Sequence, residues 1–280
     1  MKVVLFCGGL GTRIRDYSDT VPKPMVHIGY RPLLWQVMKY YAHFGHKDFI
    51  LCLGYKADVI KNYFLHYDEC VSNDFVMASG GRKITLLNSD THDWNITFVD
   101  TGAGACIGQR LRAVRHYLAD EECFLANYTD GLADLDLERY IAEVQPQNKI
   151  ATFLCVRPTQ TFHIVTADEK GAVRTIAPVE EADVWINGGF FLFRKEIFDY
   201  IGEGEDLVCE PFQRLIDVGQ LLAYKYRGFW TAMDTFKDKE RLDSLMGAPG
   251  GAPWAVWNNT PRRQQPDEPR ITAVVGVGRM

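Results

Sequence analysis

The sequence has no apolar run that approaches the roughly 18 residues that a membrane-spanning helix needs. Its first strand-like residues run directly into the glycines at positions 8 and 9, which leaves no room for the apolar segment of a signal peptide. We therefore expect a cytoplasmic protein without a membrane partner.

An excess of positive charge is also missing. Acidic residues number 36 against 31 lysines and arginines, which gives a formal net charge of -5. A protein that binds mainly to nucleic-acid phosphates usually has the opposite balance. We thus expect no nucleic-acid partner, although a local basic pocket is compatible with this composition.

Paired cysteines are absent as well. The seven cysteines are odd in number, scattered, and without a C-x-x-C spacing. This distribution argues against a disulfide framework and a structural zinc site, and it favours a reducing compartment. Hydrophobic residues make up 47% of the chain and charged residues 24%, which are ordinary values for a globular protein and exclude extensive disorder.

What the sequence does contain is an alternation of strand and helix patterns. Buried strands are predicted over 2–6 and 48–53, and helical spacing of apolar residues is found over 32–45 and 57–67. This order is typical of an α/β fold, a Rossmann-like doubly wound sheet. Later segments add strands over 123–128, 150–156 and 189–193 and helices over 110–118 and 135–144.

The middle of the chain departs from this rhythm. Two strands, 83–87 and 95–99, are predicted to be joined by a polar turn, and residues 162–177 are predicted to form an antiparallel β insertion. The sheet is therefore expected to be mixed, with small β insertions. We interpret residues 1–257 as one domain and residues 258–280, where the composition changes, as an extension with little structure of its own.

The glycine-rich segment after the first strand is the most informative part of the sequence. Gly8, Gly9 and Gly11 allow backbone N–H groups to approach phosphate oxygens closely, because no Cβ stands in the way. Thr12 follows with a hydroxyl group, and Arg13 and, further along the chain, Lys23 supply cations suited to a polyphosphate. Prolines on both sides of the lysine stiffen the chain there, which suits a fixed charge. Neither the P-loop nor the dinucleotide-binding pattern fits the segment.

These residues, with Lys23-Pro24-Met25, resemble the signature of the sugar-phosphate nucleotidylyltransferases. Segments further on, among them Tyr128-Thr129-Asp130-Gly131, Trp185-Ile186-Asn187-Gly188-Gly189 and Met233-Asp234-Thr235, are similar to those of the glucose-1-phosphate cytidylyltransferase branch. The resemblance covers residues 1 to about 257. It implies that a nucleoside triphosphate, with CTP preferred, reacts with a small phosphorylated acceptor, and it implies a homo-oligomer.

Asp130 and Asp234 are the expected ligands of a Mg²⁺ cofactor. Asp130 follows a buried strand and precedes a glycine, and Asp234 follows another change from apolar to polar residues. Magnesium between phosphates usually takes one or two carboxylates and some waters, and the resemblance implies that both aspartates are ligands. It also implies that Arg13 and Lys23 are catalytic, and that Gly108 and Arg110 let the backbone approach the base or hold its edge.

The acceptor side departs from the family pattern. Ala177-Pro178-Val179 stands where the family has Glu-Lys-Pro, whose lysine contacts the sugar phosphate. His163 replaces a glycine in a region that lines the sugar pocket. The remaining candidates for acceptor contacts are Trp185, Asn187 and Trp230. These losses predict an acceptor other than plain glucose 1-phosphate.

Three functions stay open on the sequence. The first is cytidylyl transfer to a sugar 1-phosphate with altered acceptor specificity. The second is the same transfer to another organic phosphate or phosphonate, such as an alditol, cyclitol or amino-acid derivative. The third is a nucleotide-binding module without turnover, which is disfavoured because the phosphate-binding and metal-binding residues are all present.

Overall fold

The computed structural model describes residues 1–8, 21–159, 162–179 and 181–258, together with the backbone of residues 272 and 273. The strands in this part of the chain are β1 (Val3–Phe6), β2 (His27–Ile28), β3 (Arg31–Pro32), β4 (Asp48–Leu53), β5 (Phe75–Ala78), β6 (Lys83–Leu86), β7 (Asn95–Asp100), β8 (Cys123–Tyr128), β9 (Gly131–Ala133), β10 (Ala151–Val156), β11 (His163–Ala167), β12 (Val173–Pro178), β13 (Ile186–Asn187), β14 (Phe191–Arg194), β15 (Leu221–Lys225), β16 (Trp230–Ala232) and β17 (Thr272–Ala273). The α-helices are α1 (Leu33–His43), α2 (Ala57–Leu65), α3 (Glu69–Ser72), α4 (Ile107–Ala113), α5 (Leu137–Val144), α6 (Glu210–Asp217) and α7 (Phe236–Met246).

The main sheet is mixed and has β1 near its centre. β1 pairs in parallel with β4 on one side and β8 on the other, and β7 extends the sheet beyond β4 in parallel. Beyond β8 the direction reverses, because β14 pairs antiparallel with β8 and β10 pairs antiparallel with β14. β13 pairs antiparallel with β10 on the same side as β14. β15 pairs in parallel with β10 on its other side. This topology confirms the predicted α/β class with a doubly wound mixed sheet.

Helices cover both faces of the sheet. Alternate residues of each strand point to opposite faces, so one strand contributes side chains to two cores. On one face Val3 and Leu5 pack in a core that includes residues of α1, α5 and α7. On the other face Val4 and Phe6 pack in a core with residues of α4 and α6. β1 is fully enclosed between these layers, which explains its uninterrupted apolar sequence.

Several elements coincide with the sequence patterns. The predicted strands at 48–53 and 123–128 are β4 and β8. The predicted helix at 32–45 is α1, and the chain leaves it through Gly45, whose φ of 82° favours glycine. The helix expected over 110–118 is divided into α4 and a 3₁₀ turn at Arg115–Leu118.

The strands predicted at 83–87 and 95–99 are confirmed as β6 and β7, which a turn joins, but they do not pair with each other. β6 pairs with β5, whereas β7 enters the main sheet beside β4. β5 was not predicted, because its residues are mostly exposed and carry no strong alternation. The β insertion at 162–177 is confirmed as the β11–β12 hairpin.

The end of the chain is described only in part. The backbone of β17 pairs antiparallel with β6, opposite Ile84 and Thr85. The proposed division into a domain and an extension stays a prediction. No helix in the described part of the chain is both long and apolar enough to cross a membrane.

Candidate active site

The candidate site lies at one edge of the main sheet, where the parallel strands β1, β4 and β8 end. Ligands of open α/β sheets bind at this carboxyl edge. Gly8 follows β1, Gly54 follows β4, and Asp130 follows β8. The three strands are in register side by side, so the residues after them are brought close together.

Lys23 joins the two predicted metal ligands. Its Nζ atom lies 2.6 Å from Oδ2 of Asp130 and 2.8 Å from Oδ1 of Asp234. The side chain of Lys23 is 16% exposed, and those of the two aspartates are 32% and 34% exposed. A cation and two anions from three distant segments therefore share one partly open position.

A short antiparallel ladder brings the two aspartates together. β9 begins at Gly131, directly after Asp130, and its partner β16 ends at Ala232, which is opposite Gly131. The N–H of Met233 donates to the carbonyl of Asp130 at 2.9 Å and extends the ladder. Asp234 then follows just before α7 begins. The aspartates are thus placed by backbone pairing rather than by a flexible loop.

The segment that carries Lys23 is also fixed. Lys23–Met25 forms a 3₁₀ turn in which the N–H of Met25 donates to the carbonyl of Pro22 at 2.8 Å, and Pro24 and Met25 are buried. Burial alone lowers the pKa of the Lys23 ammonium, but the two aspartates, Asp130 above all, outweigh burial and hold that pKa above its ordinary value. Lys23 is therefore a fixed, charged group.

The two carboxylates fit a magnesium ion. Their oxygens already converge on one cation, and Mg²⁺ bound with substrate phosphates needs no more than one or two protein carboxylates. No cluster of three or more histidine, cysteine, aspartate or glutamate side chains suited to a metal is found among the described residues. We therefore expect Asp130 and Asp234 to hold Mg²⁺ only together with waters and phosphate oxygens.

The glycine segment after β1 is described only at its start. Gly9, Gly11, Thr12 and Arg13 lie outside the described residues, so their assignment to the triphosphate stays a prediction. Gly8 is buried, and a Cβ on it would lie 2.0 Å from Nη1 of Arg110. A side chain at position 8 would therefore displace the guanidinium of Arg110.

Arg110 supports this edge of the sheet from within. It is 2% exposed, and its guanidinium donates to the carbonyl of Gly8 at 2.7 Å, to that of Leu53 at 3.0 Å and to Oγ1 of Thr101 at 2.7 Å. These acceptors follow or end β1, β4 and β7. One side chain therefore holds three strand ends in place beneath the glycine segment.

This geometry gives Arg110 and Gly108 structural roles, and their predicted contacts with the base stay a prediction. The donors of Arg110 are directed at backbone carbonyls and at Oγ1 of Thr101, so in this structure Arg110 supports the site. A Cβ on Gly108 would lie 2.4 Å from the carbonyl oxygen of Glu205, so glycine there permits close packing against the segment that precedes α6. Both residues were predicted from the resemblance, which carries no information about burial.

Arg110→Lys is expected to lower the free energy of unfolding by about 2–4 kcal/mol, because an ammonium cannot replace the planar set of donors and leaves buried acceptors unpaired. Denaturant unfolding measures the effect. The matched control is Arg112→Lys on the same helix, an exposed residue, for which the expected change is within about 0.5 kcal/mol. Equal stabilities of the two variants would contradict the supporting role of Arg110.

Two of the predicted acceptor residues, Trp230 and Asn187, lie at the same edge of the sheet as the carboxylates. Trp230 is 8% exposed, and its indole Nε1 donates to the carbonyl of Gly188 at 2.9 Å. Asn187 accepts from the N–H of Gly189 at 2.9 Å and donates to the hydroxyl of Tyr128 at 3.3 Å. Both side chains are thereby held by the turn between β13 and β14, at the same edge as Asp130.

The other two predicted acceptor residues differ in their surroundings. His163 begins β11 and is exposed on the hairpin, which is separate from the main sheet. Trp185 is half-buried directly before β13, and three cations surround it: Arg157, Lys225 and Arg227. These cations were missed at the sequence level, although the alternation of Lys225 and Arg227 places them on one face of an extended segment.

Comparison with known proteins shows the family of this chain. The family model described as "Nucleotidyl transferase" matches residues 2–239. The chain belongs to the nucleotidyl transferase family. Its curated relatives are nucleotidyltransferases, and the chain is an enzyme of that class, as the sequence predicted.

Two relatives of the family cover nearly the whole chain. Glucose-1-phosphate cytidylyltransferase of Salmonella typhi is 39% identical over 259 residues, which are 92% of this chain and 100% of that enzyme. A probable glucose-1-phosphate cytidylyltransferase of Bacillus subtilis is 36% identical over the same shares. Among solved structures, HddC from Yersinia pseudotuberculosis aligns with a TM-score of 0.64 at 20% identity, over 87% of this chain and 98% of that one. That structural likeness shows the fold.

Proposed function

We propose that this nucleotidyltransferase transfers a cytidylyl group from CTP to the phosphate of a sugar 1-phosphate, giving a CDP-sugar and pyrophosphate. The observation that carries the proposal is the convergence of Asp130 and Asp234 on Lys23 at the carboxyl edge of the sheet. This arrangement offers metal ligands and a fixed cation in the place where a triphosphate needs both. The 39% identity to a cytidylyltransferase supports CTP as the nucleotide.

The reaction needs no nucleophile from the protein, because the acceptor phosphate is itself anionic at neutral pH. One of its oxygens bonds to the α-phosphorus of CTP, and the bond from that phosphorus to the bridging oxygen of the β-phosphate breaks, so that pyrophosphate leaves with the electron pair. Catalysis is then mainly positioning and neutralisation of charge.

Each group of the chain has a part in that scheme. Lys23 donates to oxygens of the α-phosphate, and Asp130 and Asp234 would hold the metal ion. Backbone N–H groups after β1 receive the triphosphate, and Arg13 contacts the leaving pyrophosphate. Magnesium held by the two aspartates would supply positive charge that offsets the charge of the phosphates.

The acceptor is proposed to differ from plain glucose 1-phosphate. Pro178, the last residue of β12, stands where the resemblance implies a lysine that contacts the sugar phosphate. Proline supplies neither charge nor donor. The phosphate must then be held by other groups, and the fit of the sugar is expected to change with them.

A pyrophosphate-release screen tests the proposal. CTP, UTP, dTTP, ATP and GTP are each combined with Mg²⁺ and a panel of sugar 1-phosphates, alditol phosphates, cyclitol phosphates and phosphonates. The highest kcat/KM is expected for CTP with a sugar 1-phosphate other than glucose 1-phosphate, and EDTA is expected to abolish release. Release only with non-sugar phosphates would favour the second function, and nucleotide binding without any release would favour a binding module.

The proposal includes two further expectations that rest on the resemblance and on cysteine usage. We expect a homo-oligomer, which size-exclusion chromatography with light scattering measures. We also expect the enzyme to work in the cytoplasm, in keeping with seven cysteines that are all free thiols in the structure.

A further inference from the structure

The turn between β13 and β14, residues 187–190, has a strained backbone. Gly189 has a φ of 78° and Phe190 a φ of 49°. Glycine adopts such values readily, whereas a bulky aromatic residue rarely does. Among the non-glycine residues of the described chain that have a positive φ, Phe190 is the buried one. Strain of this kind persists where the surrounding structure enforces it, and it is concentrated at functional sites.

Two buried side chains hold Phe190 in this conformation. Oδ1 of Asn127 accepts from the N–H of Phe190 at 2.9 Å, and the hydroxyl of Tyr140 donates to the carbonyl of Phe190 at 2.9 Å. Neither Asn127 nor Tyr140 is exposed to solvent. A Cβ on Gly189 would lie 2.3 Å from the same Oδ1 atom. The amide of Asn127 therefore fits closely against the backbone of both left-handed residues.

The other backbone groups of the turn are bonded as well. The N–H of Gly188 donates to the carbonyl of Leu154, and the N–H of Leu154 donates to the carbonyl of Gly189, both at 2.8 Å. The N–H of Gly189 donates to Asn187, and the carbonyl of Gly188 accepts from Trp230. Every N–H and carbonyl of residues 188–190 thus has a partner within the protein. The turn carries Asn187 and Trp230, two of the predicted acceptor residues, in an arrangement that is set before a ligand binds.

The turn lies against the residue that follows Asp130. A Cβ on Gly131 would lie 3.9 Å from the carbonyl oxygen of Gly188 and 3.5 Å from Nε1 of Trp230, which are ordinary contact distances. Asn127 belongs to β8 and precedes Asp130 by only three residues. One strand therefore fixes both a proposed metal ligand and the turn that carries the acceptor residues.

We propose that Asn127 is a positioning residue for the acceptor, because it sets where the turn lies relative to Asp130, with Tyr140 as a second support. This inference rests on the proposed function. A displacement of about 1 Å at a reacting centre can reduce the rate by roughly 100-fold. Without the amide of Asn127, the buried N–H of Phe190 loses its partner and the strained pair of residues loses the contact that enforces it.

Steady-state kinetics test the role of Asn127. Pyrophosphate release is measured with CTP and Mg²⁺ and with glucose 1-phosphate, galactose 1-phosphate and mannose 1-phosphate as acceptors. Asn127→Leu keeps a side chain of similar size but removes the oxygen that accepts from Phe190. Its kcat/KM for the sugar phosphates is expected to fall by about tenfold or more, while its KM for CTP stays within about twofold of the wild type. Equal impairment of both substrates overturns the inference.

Two tyrosine variants test the same turn with a smaller change. Tyr140→Phe removes the hydroxyl that donates to Phe190, and the matched control Tyr40→Phe removes a buried hydroxyl that donates to the carbonyl of Leu135 at 2.7 Å. Each variant keeps its ring and loses one hydrogen bond, so Tm is expected to fall by roughly 2–4 °C in both. Only Tyr140→Phe is expected to lose about threefold or more in kcat/KM for the sugar phosphates. Equal kinetic effects in the two variants, or unchanged acceptor use in both Tyr140→Phe and Asn127→Leu, contradict the assignment.

Calorimetry makes this inference and the proposed function distinguishable. The three sugar phosphates are titrated with Mg²⁺ into the wild type, Asn127→Leu and Tyr40→Phe, without nucleotide. Pyrophosphate release by the wild type, with acceptor kinetics unchanged in the variants of the turn, refutes the positioning role alone. No release from any pair refutes the proposed function. Weaker binding of the sugar phosphates to Asn127→Leu alone then leaves the turn as an element that positions a sugar phosphate, and equal or absent binding refutes both proposals.

Discussion

Lys23→Ala is expected to lower kcat for nucleotidyl transfer by about 10²- to 10³-fold, the usual cost of removing one preorganised charge donor from a reacting centre. The ammonium is held by a 3₁₀ turn and by two carboxylates, so water cannot take over its position with the same geometry. Single-turnover kinetics measure the chemical step directly. The control is Lys149→Ala at the opposite edge of the sheet, for which unchanged turnover is expected.

The same variant has a second readout without turnover. In the wild type the Lys23 ammonium bridges Asp130 and Asp234, so a divalent ion has to compete with it. Lys23→Ala leaves two carboxylates facing each other, whose repulsion a divalent cation relieves. We expect Mg²⁺ to bind the variant more tightly than the wild type when nucleotide is absent, measured by calorimetry. Near-normal turnover of the variant would show that Lys23 does not act at the reacting centre. Equal Mg²⁺ affinities would show that the ammonium does not compete with the ion.

The order of elements was predictable because each strand and helix carries its own periodicity. β4 and β8 are mostly apolar, and the sequence locates them to the residue. The pairing of the strands was not predictable in the same way, since it depends on contacts between distant segments. The sequence indicates β6 and β7 as strands, but it does not show that one of them leaves for the main sheet.

In the candidate site, too, some residues were predictable from the sequence and others were not. Lys23, Asp130 and Asp234 were predictable, because prolines, a strand end and the family resemblance mark them locally, and the structure brings all three together. Arg110 was assigned to the base from the family resemblance, and an arginine at a helix start is otherwise expected to be solvated. Its burial follows from the convergence of β1, β4 and β7, which no local pattern encodes. The three cations around Trp185 likewise come together only after β10 has paired on both sides.

Asp130→Asn and Asp234→Asn are each expected to lower kcat/KM by about 10³-fold or more, because each removes one of the two carboxylates that we propose hold magnesium with the triphosphate. Asparagine keeps the shape of the side chain, so the fold is expected to persist. The stabilisation of the protein by Mg²⁺ with CTP, measured as a shift of Tm, is expected to decrease in both variants. Asp136→Asn is the matched control, because Asp136 caps α5 and asparagine is an equally good N-cap residue.

The double variant discriminates between one shared centre and two separate roles. If both aspartates hold the same ion, removing the second ligand after the first costs little more, and the combined loss is far smaller than the product of the single losses. If the residues act independently, the losses in free energy add. The non-additive result is expected, because one ammonium already lies within hydrogen-bonding distance of both carboxylates. Strict additivity would place the two carboxylates in different functions and would contradict a common metal site.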